Sequence, residues 1–504
     1  MAKHGVRRAP MPQDILLAID QGTSSTRAIG FSAAGEAIAT EQQSFDQIYP
    51  GPGWVEHDPE AIWGTVIHTA RRVLERLGEA QRRVSAIGIT NQRETAVLWD
   101  RRSGAAIHNA IVWQDRRTAE HCRRLTQEAG EAEVSLKTGL RLDPYFSATK
   151  IAWILDRVPG ARAAASRGEI AFGTIDSFLI WRLTGGRLHL TDATNASRTA
   201  LYDISKGRWD EGLCEMFGVP MSVLPEVRDS AGDFGVTDRE TLGLPLPIRG
   251  VAGDQQAALI GQACFASGDV KSTYGTGAFL VLNTAQHFLA SKHRLLTTIA
   301  YRLNGEVTYA LEGSILSAGA AIQWLRDGLG LISRAADVEA LAASAPHAGG
   351  VYLVPAFTGL GAPYWDPDAR AAITGLTRAS TRSEIALAAL DSVAYQTCDL
   401  LEAMAADGLR PASLKVDGGM SQNGLFMQRL ADLTAMDIRR PTNPESTAFG
   451  AACLAGLGCG IYRSLADIAA LERFEKRFTP ALSAADRDVQ IRGWRDALRR
   501  VRSV

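Results

Sequence analysis

The sequence contains few cysteines, no excess of charge of either sign and no long apolar run. Its six cysteines among 504 residues are scattered, with no CxxC pair and no clustering with histidine at metal-ligand spacing. This pattern excludes a disulfide scaffold and a structural zinc site. Lysine plus arginine number 54 and aspartate plus glutamate number 55, for a net charge of −1, so we expect no nucleic-acid partner.

The absence of a long apolar run bears on location. No stretch approaches the length that a membrane-spanning helix needs, and the apolar residues 15–19 end at Asp20, too soon for the core of a signal peptide. We therefore expect a cytoplasmic protein with no membrane span. Hydrophobic residues make up 46% and charged residues 22% of the chain, which is typical of a folded enzyme with two large domains or about three smaller ones.

The pattern of apolar and polar residues predicts a mixed α/β module near the start of the chain. Short apolar segments at residues 15–19 and 27–31 flank a polar turn, and a third apolar stretch begins at Ala37. This succession is typical of strands joined by turns. Apolar residues then recur at helical spacing over residues 58–77, and a buried strand is predicted at residues 84–89.

A similar succession follows the middle of the chain. A predicted strand at residues 248–252 leads into a helix over residues 254–263, and strands at residues 270–273 and 278–282 flank a glycine turn. A further strand at residues 414–416 precedes another glycine turn and a helix. Because both halves repeat one theme, we predict two related domains with a cleft between them.

The first polar turn carries groups suited to phosphate binding. Residues 20–27 read DQGTSSTR, in which Gly22 permits a tight turn and Asp20 is placed to hold Mg²⁺ through water. Donors to phosphate oxygens follow in the same stretch: Thr23, Ser24, Ser25 and Arg27. An ordinary polar β-hairpin explains this segment equally well. It is not a Walker A loop, because no Gly-Lys-Ser/Thr follows.

Two further glycine turns favour a bound nucleotide. YGTG at residues 274–277 repeats the glycine and threonine chemistry in the second half, and DGG at residues 417–419 offers backbone N–H groups before a helix. Signatures such as HRD/DFG, a strand-borne GxGxxG, a GxSxG elbow and HExxH are absent. Together these observations predict phosphoryl transfer from a nucleotide held across the cleft.

A separate set of residues is suited to a small polar substrate. Its members are Arg93, Glu94, Tyr145, Asp254 and Gln255. Arg93 and Glu94 offer donors and an acceptor to neighbouring hydroxyls, and Asp254 at a strand end can accept a proton. Purely structural roles stay open as well: a solvated surface pair for Arg93 and Glu94, a helix N-cap for Asp254, and core packing for Trp113 and Phe279.

Several long segments carry a family resemblance. They are residues 20–27, 48–58, 88–94, 191–198, 252–256 and 355–366. These segments resemble the FGGY carbohydrate kinase family, within the superfamily of sugar kinases, Hsp70 and actin, and residues 145–153 and 371–391 are similar to its two signatures. The resemblance implies an α/β fold of two actin-like (ribonuclease H-like) ATPase domains, at residues 14–261 and 262–504, with an interdomain active-site cleft.

The resemblance also implies an activity, its cofactors and its site. The implied reaction is ATP-dependent phosphorylation of glycerol to sn-glycerol 3-phosphate, in glycerol catabolism, by a homodimer or homotetramer. Asp254 would be the general base, and Asp20 and Asp254 would hold Mg²⁺. The matching substrate positions are Arg93, Glu94, Trp113, Tyr145, Asp254, Gln255 and Phe279. The matching nucleotide positions are Thr23, Ser24, Ser25, Arg27, Thr276, Gly319, Gln323, Gly419 and Asn423.

Two other functions stay open at this point. An FGGY kinase for another polyol or a ketose would share the fold, and an actin-like ATPase would share the phosphate turns without a small-alcohol substrate. The control devices of some relatives are not expected here. Residues 237–248 depart from a fructose-bisphosphate loop, no histidine stands between His189 and His287, and residues 478–486 depart from a phosphotransferase-docking segment.

Overall fold

The computed structural model describes residues 14–128, 130–345 and 350–503. Two 3-10 helices of its first half lie at Gly78–Arg83 and Met221–Val223. The strands and helices up to residue 261 are, in chain order, β1 (Ile15–Gln21), β2 (Ser25–Ser32), β3 (Ala37–Ser44), β4 (Glu56–His57), α1 (Pro59–Leu77), β5 (Val84–Asn91), β6 (Val97–Asp100), β7 (Ala110–Ile111), α2 (Ala119–Gln127), α3 (Gly130–Thr138), α4 (Ser147–Arg157), α5 (Ala161–Ser166), β8 (Ile170–Gly173), α6 (Ile175–Leu183), β9 (Leu190–Asp192), α7 (Ala193–Ala196), β10 (Tyr202–Asp203), β11 (Arg208–Trp209), α8 (Glu211–Phe217), β12 (Glu226–Arg228), α9 (Arg239–Leu242), β13 (Ile248–Gly253) and α10 (Asp254–Gly261).

The second half has one 3-10 helix, Gly419–Gln422, within its described part. No helix in the described ranges is both long and apolar enough to cross a membrane. The remaining strands and helices are β14 (Val270–Tyr274), β15 (Ala278–Ala285), β16 (Leu296–Leu303), β17 (Glu306–Ile315), α11 (Gly319–Asp327), α12 (Asp337–Ala343), β18 (Tyr352–Val354), β19 (Ala372–Thr374), α13 (Arg382–Ala406), β20 (Ser413–Asp417), α14 (Gly424–Thr434), β21 (Asp437–Pro441), α15 (Ser446–Cys459), α16 (Leu465–Ala469), β22 (Phe474–Phe478) and α17 (Ala484–Val501).

The start of α1 shows how the sequence sets local structure. The carboxylate of Asp58 accepts a hydrogen bond from the N–H of Glu60 at 2.9 Å, which satisfies a donor that has no partner inside the helix. Pro59 occupies the first helical position, where a missing N–H costs nothing. Ile62 and Val66 lie on the buried face of the helix, which packs on β2 and β3. The helix predicted over residues 58–77 is confirmed.

The two large sheets share one strand order. The first runs β13-β5-β1-β2-β3 and the second β16-β17-β15-β14-β20-β21-β22. Without β16 and β22, the five remaining strands of the second sheet occupy the same positions as those of the first, 3-2-1-4-5 in order of appearance. The first three strands of each set pair antiparallel and the last two join in parallel. The predicted repeat is therefore confirmed in the strand order.

The helices that follow the fifth strand of each set, α10 and α15, cross in direct backbone contact. A Cβ at Gly450 would lie 1.7 Å from the carbonyl oxygen of Ala257, and one at Gly261 would lie 2.0 Å from that of Ser446. Glycine is thus the residue that lets the two backbones approach so closely. Helix α15 also lies against β5 and β13 of the first sheet, where a Cβ at Gly88 would be 2.0 Å from the oxygen of Ala451.

The six cysteines carry free thiols that are buried or partly buried. Five are buried and one is partly buried. Burial raises the pKa of Cys122, Cys214 and Cys264 to about 12, and it also raises the pKa of the other three thiols. They behave as small apolar residues of the core.

His189 is held in its neutral form by two fixed partners. Its Nε2–H donates to the carbonyl oxygen of Phe172 at 2.7 Å, and its Nδ1 accepts from Arg101 Nη2 at 3.0 Å. The ring packs edge-on against Trp99 and Trp181. Burial lowers the pKa of His189 from 6.5 to about 4, and Arg101 lowers it further, against the effect of the Phe172 carbonyl.

Gly450→Ala tests the helix crossing. We expect it to lower the free energy of unfolding by at least about 2 kcal/mol, because the new methyl group would overlap a backbone oxygen that cannot move alone. Gly64→Ala in α1 is the matched control, since a Cβ there meets nothing within 4 Å, and we expect a gain of about 0.5–1 kcal/mol. Urea unfolding compares the two, and equal stability would contradict the described contact.

The pH dependence of stability tests the neutral state of His189. Unfolded histidine takes up its proton near pH 6.5 but the folded residue only near pH 4, so the unfolded state binds more protons between these values. The stability of the wild type relative to His189→Gln should therefore fall by about 2 kcal/mol from pH 7 to pH 5. Thermal and urea unfolding of both proteins at each pH measure this difference, and a constant difference would refute it.

Candidate active site

Strand ends of the first sheet bring distant residues together at one edge. β1 carries Asp20 near its end, β5 is followed by Arg93 and Glu94, and β13 is followed by Asp254. β5 pairs in parallel with both β1 and β13, so these side chains share the carboxyl edge of the sheet. Ligands of α/β proteins bind at such an edge.

Arg93 and Glu94 lie inside the protein, not on its surface. Their side chains are 2% and 1% exposed, so the interpretation as a solvated surface pair is wrong. Glu94 has a left-handed φ of 59°, and the N–H of Thr95 donates to the carbonyl oxygen of Arg93 at 2.7 Å. This tight, strained turn directs two neighbouring charged side chains inward.

The buried charges around Arg93 pair with one another. Glu312, on β17, accepts hydrogen bonds from Arg93 Nη1 at 2.5 Å and Nη2 at 3.1 Å, and from Arg198 Nη2 at 2.8 Å. Arg198 Nε donates to Glu94 Oε1 at 2.7 Å. Burial by itself would raise the pKa of Glu312, but the two guanidinium groups lower it to about 2. Two arginines and two glutamates thus neutralise one another.

Asp254 is the first residue of α10 and is partly open to solvent. Its Oδ1 lies 3.1 Å from Arg93 Nε and accepts a hydrogen bond from the N–H of Gln255 at 2.7 Å. Gly253 is the N-cap of the helix, so the interpretation of Asp254 as the N-cap is wrong. Burial raises the pKa of Asp254, while Arg93 and Lys271 oppose the rise. The carboxylate is therefore a better proton acceptor than a free aspartate.

Lys271, on β14, fixes the side chain of Gln255. Its Nζ donates to Gln255 Oε1 and, at 2.9 Å, to Thr273 Oγ1. An ammonium group can only donate, so the carbonyl oxygen of the amide faces Lys271 and its NH₂ group is directed elsewhere. Burial lowers the pKa of Lys271 to about 8, against the opposing charges of Asp417 and Asp254.

An aromatic wall lies between the turn that joins β1 to β2 and the buried charges Arg93, Glu94, Arg198 and Glu312, the Arg93 cluster. The ring of Trp113 lies 5.7 Å from that of Tyr145 and 5.9 Å from that of Phe279, in both cases edge to face. Trp113 Nε1 donates to Thr23 Oγ1 at 2.9 Å, and the guanidinium of Arg93 lies 5.7 Å over Phe279. The three rings offer an apolar surface beside charged groups.

The first predicted phosphate turn is a closed hairpin. The N–H of Gly22 donates to the oxygen of Ser25 at 3.0 Å, and Ser24 is exposed. Arg27 pairs with Glu445, which immediately precedes α15. The guanidinium that the sequence assigned to phosphate is thus held by a carboxylate from the second half of the chain.

The second turn lies against the start of α11. The N–H of Gly319 donates to the oxygen of Gly275 at 2.9 Å, and a Cβ at Gly319 would lie 2.6 Å from that same oxygen. Thr276 and Gln323 are exposed. Glycine at this position lets the turn rest on the helix N-terminus, which favours anions.

The third turn follows β20. Gly418 has a φ of 85°, and a Cβ there would lie 2.5 Å from the oxygen of Tyr274, so this turn packs on the second one. Gly419 is exposed. Asn423 Oδ1 accepts from the N–H of Phe426 at 2.8 Å and caps α14, which leaves the amide NH₂ of Asn423 for a ligand.

The carboxylates of Asp20 and Asp254 repel each other. Burial raises the pKa of Asp20 to about 7, Arg27 lowers it, and the charge of Asp254 raises it further. Two such carboxylates fit Mg²⁺, which proteins hold through one or two carboxylates together with water and phosphate oxygens. Among the described residues, no three His, Cys, Asp or Glu side chains gather as a metal site.

Comparison with known families explains this arrangement. The model of the N-terminal domain of the FGGY family of carbohydrate kinases matches residues 15–261, and the model of its C-terminal domain matches residues 270–459. The chain belongs to the FGGY family of carbohydrate kinases. The two-domain α/β fold of this FGGY kinase agrees with the fold that the resemblance implied.

Individual relatives of this FGGY kinase are similar over nearly their whole length. The glycerol kinase of Methylobacterium nodulans is 59% identical over 96% of this chain and 97% of its own. Glycerol kinase 1 of Pseudomonas aeruginosa is 58% identical over 97% of this chain and 99% of its own. The crystal structure of Plasmodium falciparum glycerol kinase with ADP is 37% identical, with a TM-score of 0.90 over 97% of this chain and 98% of its own.

Three buried charged residues of this FGGY kinase were not among the predicted site positions: Arg198, Lys271 and Glu312. Lys271 and Glu312 each stand within a strand of mostly buried residues. A charge inside such a strand requires a partner, because an unpaired buried charge is very costly. That signal was available in the sequence, although it does not name the partner.

Proposed function

We propose that this FGGY kinase transfers the γ-phosphoryl group of ATP to glycerol, forming sn-glycerol 3-phosphate and ADP. The proposal rests on a set of linked contacts. Asp254 pairs with Arg93, and both lie beside the aromatic wall, whose Trp113 is hydrogen-bonded to Thr23 of the first turn. Glycerol needs polar partners for three hydroxyls and an apolar surface for three carbons. The names of its relatives support the same substrate.

Arg93 and Glu94 bind and orient the polyol in this proposal. Arg93 Nη2, which gives one N–H to Glu312, donates the other to a hydroxyl oxygen, the carboxylate of Glu94 accepts from a neighbouring hydroxyl, and Tyr145 adds a further hydroxyl partner. The carbon chain lies along Trp113 and Phe279. The NH₂ group of Gln255, directed away from Lys271, donates to the hydroxyl that reacts.

Asp254 receives the proton of that hydroxyl. Its Oδ1 is engaged by Arg93 and by the N–H of Gln255, so we assign the proton to Oδ2. The hydroxyl oxygen forms a bond to the γ-phosphorus, the bond from that phosphorus to the β,γ-bridging oxygen breaks, and its electron pair leaves on ADP. Such a transition state is loose, so a late proton acceptor and good alignment suffice.

Residues of the three turns bind the nucleotide in this proposal. Hydroxyl and backbone donors of the first turn, at Thr23, Ser24 and Ser25, face the terminal phosphates. Thr276, Gly319, Gln323, Gly419 and Asn423 contact the rest of ADP. Asp20 and Asp254 would hold Mg²⁺, which when bound neutralises phosphate charge. Use of ATP accords with a cytoplasmic location.

ADP release tests the proposed function. With Mg-ATP, we expect release by the purified protein to be stimulated strongly by glycerol and weakly or not at all by xylulose, gluconate or ribulose, because relatives 58–59% identical to this chain are glycerol kinases. A coupled spectrophotometric assay measures each compound alone. If another compound stimulated ADP release instead, that compound and not glycerol would be the substrate. If none of the four compounds changed the rate of ADP release, the protein would be an ATPase without a small-alcohol substrate.

Asp254→Asn tests the general base. We expect kcat to fall by about 100- to 10,000-fold, because the amide accepts no proton at neutral pH, whereas ADP affinity measured without Mg²⁺ should change little. Asp210→Asn is the control, since Asp210 caps α8 and asparagine caps equally well. Steady-state kinetics and calorimetric ADP titration separate the two effects. Turnover near that of the control would refute the assignment.

A further inference from the structure

We propose that Glu312 is a positioning residue for polyol binding: it is supplied by the second domain and sets the orientation of Arg93, which lies in the first. The inference rests on the proposed function, because it concerns how Arg93 meets the polyol. It makes the polyol site a product of both domains, since the residue that binds substrate and the residue that holds it come from different sheets.

The carboxylate of Glu312 binds two arginines at once. One carboxylate oxygen accepts from Arg93 Nη1 at 2.5 Å, and the other accepts from Arg93 Nη2 at 3.1 Å and from Arg198 Nη2 at 2.8 Å. None of these three side chains is more than 2% exposed. Such a forked arrangement fixes the plane of a guanidinium as well as its position.

The fork decides which edge of Arg93 faces the substrate. Both terminal nitrogens donate to Glu312, and Nη1 also donates to Gln256 Oε1 at 3.3 Å, so the Nε edge is the one that faces Asp254, at 3.1 Å. Glu94 Oε1 is 3.9 Å from the same Nε. Without Glu312, the terminal nitrogens would turn toward these two remaining carboxylates and occupy the groups that the polyol needs.

Arg198 links Glu312 to Glu94, the second polyol-binding residue, in the same way. Its Nε holds Glu94 Oε1 at 2.7 Å while its Nη2 holds Glu312. Glu312 lies on β17, between β16 and β15 in the second sheet, so it is anchored by hydrogen-bonded strands on both sides. Phe279, which faces Arg93, lies on the adjacent strand β15. The second sheet therefore positions Arg93 directly and Glu94 through Arg198, and it also carries Phe279 of the aromatic wall.

The test compares the effect of one substitution on the KM values for glycerol and for ATP. In Glu312→Gln, which keeps the shape of the side chain, we expect the glycerol KM to rise about tenfold or more, while the ATP KM stays within about threefold. Equilibrium binding of glycerol without nucleotide should weaken in parallel. An ordinary structural ion pair would lower stability without separating the two KM values.

Asp391→Asn is the matched control. Asp391 is also a buried carboxylate that accepts two hydrogen bonds from one arginine, Arg429, at 2.7 and 2.8 Å, but it lies on α13 and its arginine is not part of the Arg93 cluster. We expect it to lower the melting temperature without a selective rise in the glycerol KM. An equal rise in both variants would overturn the proposal, because it would reflect general destabilisation.

A second variant covers the case in which Glu312→Gln does not fold. Arg198→Lys keeps the charge but cannot reach Glu94 and Glu312 together, so the glycerol KM should again rise selectively. If the wild type turns over glycerol and the variants have the same glycerol KM as the wild type, this inference alone is overturned. A wild type without glycerol-dependent turnover would overturn the proposed function and the inference with it.

Discussion

The backbone contact between α10 and α15 is the constraint on which the rest of the molecule depends. Each helix follows the fifth strand of the five-strand set that the two sheets share, and glycines at 261 and 450 let the two helices cross without a side chain between them. Since α15 also covers the first sheet, the second half of the chain is seated directly on the first. The strand ends that carry chemistry are thereby set opposite one another.

The electrostatics of the site follow from that seating. Lys271 and Glu312 come from the second sheet, and Arg93, Glu94, Arg198 and Asp254 come from the first part of the chain. Three positive and three negative side chains share this region, and four ion pairs of 3.1 Å or less join five of them. The described site needs both halves, because Glu312 of the second half pairs with both Arg93 and Arg198 of the first.

The sequence predicted the local elements and the positions of the turns, since these depend on periodicity, glycine and capping residues that lie close together in the chain. It could not predict which charges pair. Arg93 and Glu312 are separated by 219 residues, and Arg27 and Glu445 by 418, so no local pattern connects them. The site residues assigned by resemblance stay proposals, whereas the surroundings of Arg93 became visible only in the packed structure.

The burial of all six thiols bears on the chemical durability of the folded chain. The thiolate is the form that attacks oxidants and disulfides, and every cysteine here has a raised pKa. At neutral pH the folded protein therefore presents almost no nucleophilic sulfur. Thiols of ordinary pKa are present only in the nascent or unfolded chain, so folding itself protects them from oxidation.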